Sequence, residues 1–365
     1  MRSAFLAILF THLVCLASTP CFSSETVAAM LQSHCDGQYD PNIAGGYAIS
    51  AIEEGEVIFR KAYGMANNEY DIPLTTKSLF DFASIAKTFT GWAVAKLIID
   101  GKISPEDDIR TYVPEIPDFG HKITISHLLY HTSGLPDWYE VLRFTGKKYT
   151  DVYSKEMLLE LVFSQRKLNF VPGERFEYSN TGYLLLAETV EKVSGQNFAD
   201  WCEKNIFRSL GMKNTRFLKS HAEIIKNRAM SYCGNGDTGY VNCFSQLYSP
   251  GSSSLYSTLD DMTLWLKEIS KREFGGSEVW DLMLRTGTLS NGESVNYGCG
   301  ISMRYYKSHA SIGHGGSWLG YLSDLVYYPE ENVGYVLMIT RNPPAVSMTG
   351  KVDEILLGNS PAKSR

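Results

Sequence analysis

The stretch FASIAKTFTGWAVAKLIID, residues 82–100, decides how this chain is read. It places Ser84 and Lys87 three apart at the head of an apolar run: Phe89, Trp92, Ala93, Val94, Leu97, Ile98 and Ile99. Those positions cover most of a helix's circumference, which predicts a buried central helix over 84–100 with Gly101 as its stop. A lysine in such a helix is costly unless it has a use. Residues i and i+3 of a helix lie about 5–6 Å apart at Cβ, so the amine can reach the hydroxyl. Burial lowers a lysine pKa, and the neutral amine can then accept a proton from serine. The unpaired N–H groups at a helix start, that of Ser84 included, can hold an oxyanion. The bland reading makes Ser84 a cap and sends Lys87 out to water. This stretch alone does not choose between them.

Ser-x-x-Lys occurs twice more, at Ser164 to Lys167 and at Ser360 to Lys363. The first closes a predicted helix on a charged face. The second holds a proline inside a short polar tail. Neither puts its lysine in an apolar setting.

Two further stretches bear on Ser84. PGERFEYSNTGY, residues 172–183, places Tyr178, Ser179 and Asn180 on a loop before a predicted helix. A phenol beside a lysine can serve as acid or base, and an amide can hold a substrate carbonyl. SIGHGGSWLGY, residues 311–321, places His314, Gly315 and Gly316 at the end of a predicted strand, where glycines let a substrate approach the backbone. Each signal is weak alone: Tyr-x-Asn recurs at Tyr240 to Asn242, and a lone histidine is usually structural.

Taken in order, Ser-x-x-Lys, Tyr-x-Asn and His-x-Gly resemble the class C β-lactamase group. That group includes D-alanyl-D-alanine carboxypeptidases, D-aminopeptidases and family VIII esterases. LFDFASIAKTFT, ISHLLYHTSGLP, GMKNTRF, SSSLYSTLDDMTLWL and GHGGSWLGYLSDLVYYPE carry the same likeness, which runs from about residue 40 to 342. It implies an α+β, β-lactamase/transpeptidase-like fold: an antiparallel sheet flanked by helices, with an inserted mainly helical lobe. It also implies roles. Ser84 would form the acyl-enzyme with Lys87 beside it, and Tyr178 would shuttle the proton. Asn180 would contact the substrate amide, while His314, Gly316 and Ser317 would line the opposite wall. The N–H groups of Ser84 and Ser317 would form the oxyanion hole. The third motif departs from the β-lactamases, which resemble one another in having Lys-Thr-Gly there. Histidine, with a reference pKa of about 6.5, is mostly neutral at pH 7, which weakens the case for efficient β-lactam hydrolysis.

The rest of the chain is organised around this core. GYAISAIEEGEVIFRKAYG predicts a hairpin, and strands return over NYGCGISMRYY, HASIGHG, YLSDLVYYP and VGYVLMIT. Helices are expected near 25–34, 124–131, 154–164, 181–193, 197–207, 258–270 and 346–357. A sheet lobe would thus comprise about 24–83 and 285–365, and a helical lobe about 84–284, in one catalytic domain.

Residues 1–23 read as a secretory signal: Arg2, an apolar run from Ala4 to Ala17, then small residues. The expectation is an exported protein, periplasmic or secreted, with no stable membrane span after cleavage. A net charge of −6 with no basic run argues against nucleic acid as a partner. The partner expected is a small-molecule or peptide substrate; the sequence leaves oligomeric state open. Cys233 and Cys243 bracket a turn-rich segment, which permits a bridge in an oxidising compartment without requiring one. Gly234 to Gly239 spells G-x-G-x-x-G but lacks the strand and helix of a dinucleotide site. No Cys-x-x-Cys pair occurs, and the H-x-x-x-H at His127 to His131 carries Leu128 where a zinc hydrolase motif has glutamate, so neither metal nor cofactor is expected. His131 reads as structural. The leading expectation is a serine hydrolase acting on D-amino-acid peptides, like a D-alanyl-D-alanine carboxypeptidase. An esterase, a weak β-lactamase and a non-enzymatic binding protein are the alternatives.

Overall fold

The computed structural model describes residues 22–234, 239–342 and 348–358. The expected leader lies outside the described residues apart from its last two, as do Ser360 to Lys363 and the turn at 235–238. Strands from both ends of the chain build one sheet. In chain order they are β1 (Gly46–Glu53), β2 (Glu56–Asn67), β3 (Ile72–Pro73), β4 (Ser302–Tyr306), β5 (His309–Trp318), β6 (Tyr321–Tyr328) and β7 (Val333–Ile339). Their spatial order is β4-β5-β6-β7-β1-β2-β3, with antiparallel pairing throughout. Glu54 and Gly55, both with positive φ, close the β1–β2 hairpin as a two-residue turn whose twist suits the flanking strands. β1 lies mid-sheet against β7, in a register running from Tyr47 opposite Ile339 to Glu53 opposite Val333.

Alternation along these strands sorts two cores. Tyr47, Ile49, Tyr335 and Leu337 face outward and pack with Val27 and Leu31 of α1 (Ser24–Gln38) and Val352 and Ile355 of α10 (Thr349–Leu357). Ala48, Val336 and Met338 face the other way, into the larger core with Phe89, Trp92 and Trp265. The helices of that layer are α2 (Ala86–Ile99), α3 (Ile125–Leu129), α4 (Trp138–Arg143), α5 (Lys155–Phe163), α6 (Asn180–Ser194), α7 (Phe198–Cys202), α8 (Leu259–Lys271) and α9 (Ser277–Leu284). No helix among the described residues is long and apolar enough to cross a membrane.

α2 is the axis of the helical layer, with every residue from Ala86 to Ala95 buried. Phe89 stacks on Trp265 at 4.4 Å between ring centroids and Trp92 on Phe274 at 4.6 Å. The Trp265 indole N–H donates to Thr88 Oγ1 at 2.9 Å. Gly300 packs against this helix backbone to backbone. At its φ of +76°, a Cβ would lie 2.0 Å from the Lys87 carbonyl oxygen. That glycine also interrupts the strand expected across 296–306, which begins only at Ser302.

Other boundaries moved for local reasons. The expected 84–100 helix starts as a single 3-10 turn, Ala83–Ile85, before α2. The 197–207 helix divides into α7 and a π-helical turn, Glu203–Phe207. α4 and α9 were not expected: six and eight residues show too little periodicity.

Cys233 and Cys243 are bonded, tying the short strand Tyr232–Gly234 to the residue that follows its antiparallel partner Tyr240–Asn242. Cys35, Cys202 and Cys299 are buried free thiols. Closing a loop of this sequence separation, 10 residues, should contribute about 2–3 kcal/mol. Urea unfolding of the Cys233→Ser/Cys243→Ser variant should show that loss; an unchanged stability would mean the bridge constrains nothing.

Candidate active site

Ser84 sits on the 3-10 turn leading into α2, beneath a backbone held in an unusual shape. Ala83 has φ +46°, a left-handed conformation costing a non-glycine residue about 1–3 kcal/mol. Two bonds hold it. Asp81 Oδ1 accepts the Ala83 N–H at 2.8 Å, and the Phe82 N–H donates to the Leu255 carbonyl at 2.8 Å. Burial raises the Asp81 carboxyl to about 7. The turn presents Ser84 to a cleft of about 790 Å³ that is also lined by Asp137, Tyr178, Asn180, His314, Gly316 and Ser317.

Lys87 lies behind Ser84, fully buried. Its Nζ is 3.1 Å from Ser84 Oγ, 2.8 Å from Asn180 Oδ1 and 2.8 Å from the Ser252 carbonyl oxygen. Desolvation pulls its pKa down to about 7, against the opposing pull of Asp137. A neutral amine has two N–H groups and one lone pair. Asn180 Oδ1 and the Ser252 carbonyl can only accept, so they take the two N–H groups. The lone pair is left facing the Ser84 hydroxyl.

Tyr178 closes the other side. Its residue surface is 38 % exposed along the cleft, but its hydroxyl is turned inward and hydrogen-bonded with Ser84. Burial drives this phenol well above its ordinary range, so it holds its proton at neutral pH; the Ser84 bond opposes that only in part. Lys87 Nζ stands 4.8 Å from the Tyr178 ring centroid. Ser179 caps α6 by accepting the Gly182 N–H, and Asn180 is the first helical residue, one step further into the helix than expected.

His131 is structural in a specific way. Its Nδ1 accepts the Ser179 N–H at 3.0 Å, and its ring packs against Tyr178 at 4.4 Å and Tyr297 at 4.5 Å. Burial holds it well below its usual pKa, hence neutral.

His314, on β5, faces Tyr178 with ring centroids 6.0 Å apart. Its Nδ1 is 2.6 Å from the Gly315 carbonyl oxygen, which can only accept, so Nδ1 carries the proton. Nε2 therefore accepts the Tyr297 hydroxyl proton at 2.9 Å. Burial, then the nearby Lys87, lowers this imidazole to about 3. It is a neutral wall residue with a set tautomer.

Gly316 lets β5 press against the Ser84 turn. A Cβ there would stand 2.3 Å from the Phe82 carbonyl oxygen and 2.3 Å from Ser323 Oγ. Ser317 follows it on the rim, its side chain exposed. Six of the seven expected residues therefore line one cleft, and the seventh, Lys87, lies behind it in contact with Ser84 and Asn180.

The sequence did not point to Asp137, Ser252 or Tyr297 as parts of this site. Ser252 contributes a main-chain carbonyl, and no side-chain pattern encodes that. The Ser/Gly-rich SPGSSSLYS was its one trace.

A family model described as Beta-lactamase matches residues 39–360. The chain is 29 % identical over 295 residues to penicillin-binding protein 4* of Bacillus subtilis, covering 77 % of this chain and 64 % of that protein. It is 25 % identical over 314 residues to a D-aminopeptidase of Gluconobacter oxydans, covering 86 % of this chain and 59 % of that one. The chain thus spans less than two thirds of the length of either curated relative. An octameric penicillin-binding protein homologue from Pyrococcus abyssi superposes with a TM-score of 0.75 at 27 % identity, over 88 % of this chain and 74 % of that one. With nearly the whole described chain inside the match and its fold shared by a solved relative, this protein belongs to the Beta-lactamase family.

Proposed function

We propose that this protein is an exported serine hydrolase that works through an acyl-enzyme on Ser84, with small D-amino-acid peptides or amides as substrates. One observation carries the chemistry: a buried lysine Nζ that stands 3.1 Å from a serine oxygen and 2.8 Å from each of two fixed acceptors, so that its neutral form turns a lone pair to the serine. Lys87 takes the Ser84 proton as Oγ bonds to the substrate carbonyl carbon. Tyr178, protonated in the resting state, passes its proton to the departing amine as the C–N bond breaks. Asn180 orients the substrate amide, and the N–H groups of Ser84 and Ser317 receive the developing oxyanion. Lys87 then passes the proton it took from Ser84 on to Tyr178, which restores both groups. Water attacks the ester carbonyl and gives a proton to Lys87, which hands it to Ser84 Oγ as the acyl C–O bond breaks and the acid leaves.

The substrate class is supported by the names of the relatives, a penicillin-binding protein and a D-aminopeptidase. Neutral His314 offers no cation for a substrate carboxylate, which within this class favours D-amino-acid amides over peptides with a free C-terminal carboxylate. Export is supported by the leader-like residues 1–23.

Intact mass after exposure to a fluorophosphonate and to benzylpenicillin, with peptide mapping, tests this reading. The phosphonate adduct should map to the peptide holding residues 82–92. An adduct elsewhere, or none, overturns the assignment. Release of D-alanine from a D-alanyl-D-alanine peptide, against release of free amine from D-amino-acid amides, tells carboxypeptidase from aminopeptidase action.

A further inference from the structure

Asp137 lines the cleft yet is 9 % exposed, and its carboxylate serves two helix starts. Oδ1 accepts the Tyr139 N–H at 2.8 Å, capping α4. Oδ2 accepts the backbone N–H of Asn180 at the start of α6. Oδ1 also faces Asn180 Nδ2 at 3.4 Å. An asparagine amide can lie either way round unless its surroundings distinguish oxygen from nitrogen. Here an acceptor-only carboxylate faces the NH₂ side, and Asn180 Oδ1 is thereby turned to Lys87.

The same two segments are joined by Thr181. Its Oγ1 donates to the Pro136 carbonyl at 2.9 Å and accepts the Trp138 N–H at 2.9 Å. That link is uncharged, so it can be cut without altering the field at Lys87. The titratable groups around Lys87 are Asp137, Tyr178, Tyr183, His131 and His314. Burial keeps both histidines neutral and both tyrosines protonated. Asp137 is the acidic group among them: burial raises its pKa, and the N–H groups of Asn180 and Tyr139 and the nearby Lys87 pull it back toward the carboxylate. On its own side Asp137 meets Lys87, Tyr178 and Tyr139, while neighbouring Glu140 is paired with Arg143 at 3.0 Å.

We infer that Asp137 is a positioning residue: it sets which way round the Asn180 amide lies and keeps a negative charge across from Lys87. This rests on the proposed acyl-enzyme chemistry at Ser84. Positioning errors of about 1 Å cost up to about a hundredfold in rate, and loss of a nearby anion lowers a lysine pKa.

The test is the pH dependence of Ser84 phosphonylation in the wild type, Asp137→Asn, Asp137→Ala and Thr181→Val, each with a thermal melt. Asp137→Asn keeps the shape and can still accept the Tyr139 N–H. Its phosphonylation at alkaline pH should slow about tenfold, and its acidic limb should move to lower pH by about half a unit or more. Asp137→Ala should show the same displacement with a larger rate loss. Thr181→Val should leave the limb in place. Limbs that coincide in all four proteins, with rate losses that merely follow the melting temperatures, would overturn the inference while leaving the Ser84 reading intact. A wild type that takes no label on Ser84 overturns both.

Discussion

Ser84→Ala will lose on the order of 10⁴- to 10⁶-fold in kcat, and adding Lys87→Met to it will cost almost nothing more. The reason is the geometry at Lys87 Nζ. Its lone pair has one use, the proton of the hydroxyl 3.1 Å away, because Asn180 and the Ser252 carbonyl occupy both N–H groups. A base with no nucleophile to serve contributes nothing, so the two losses will not add. Lys87→Met alone should fall nearly as far. In the wild type, kcat/KM should rise through pH 7, where Lys87, drawn down to about 7 by burial, loses its proton. Below that pH the ammonium has no lone pair to offer. Lys87→Met should lack this limb. Steady-state kinetics of the four proteins between pH 5 and pH 10 checks all of this; losses that multiply would show that the two residues act apart.

Gly316→Ala will come next in effect. The added methyl would sit 2.3 Å from the Phe82 carbonyl oxygen, a backbone atom that can yield only if the Ser84 turn moves. That turn carries Ala83 at φ +46°, fastened by Asp81 and Leu255, and has little slack. Overpacking of this kind costs about 1–3 kcal/mol. The larger consequence is a widened gap between Ser317 and Ser84, expected to lower kcat about a hundredfold. Urea unfolding and kinetics read the two effects separately. Wild-type kcat at reduced stability would show that β5 and the Ser84 turn need not touch.

The residues that meet at the cleft were more legible than the ones that support them. A lysine inside an apolar helix is a conspicuous cost, but alone it left a snorkelling side chain open; the stretches around Tyr178 and His314 tipped the reading toward a buried amine beside a serine. The sheet was legible because hairpins and alternating strands are local patterns, and Glu54-Gly55 is a local turn. Asp137 was not, because one aspartate before a six-residue helix reads as an ordinary cap. Its second bond, to Asn180, spans 43 residues and has no local trace. Tyr297 was hidden in the same way, since its partner His314 is set by a strand it does not belong to. The 3-10 turn at Ser84 follows from the left-handed Ala83, which tertiary bonds enforce against alanine's own preference.

The place of β1 beside β7 has a consequence for how the chain reaches this state. Tyr47 and Ile339, facing partners, are about 290 residues apart, and such non-local pairings make folding slow. At about 5–20 residues per second of synthesis, the free edge of β1 waits roughly 15–60 s for its neighbour to exist. During that interval the β1–β2 hairpin offers an unsatisfied apolar edge to any other strand nearby. Refolding yield should therefore fall with protein concentration, and a holdase that covers residues 46–53 should restore it.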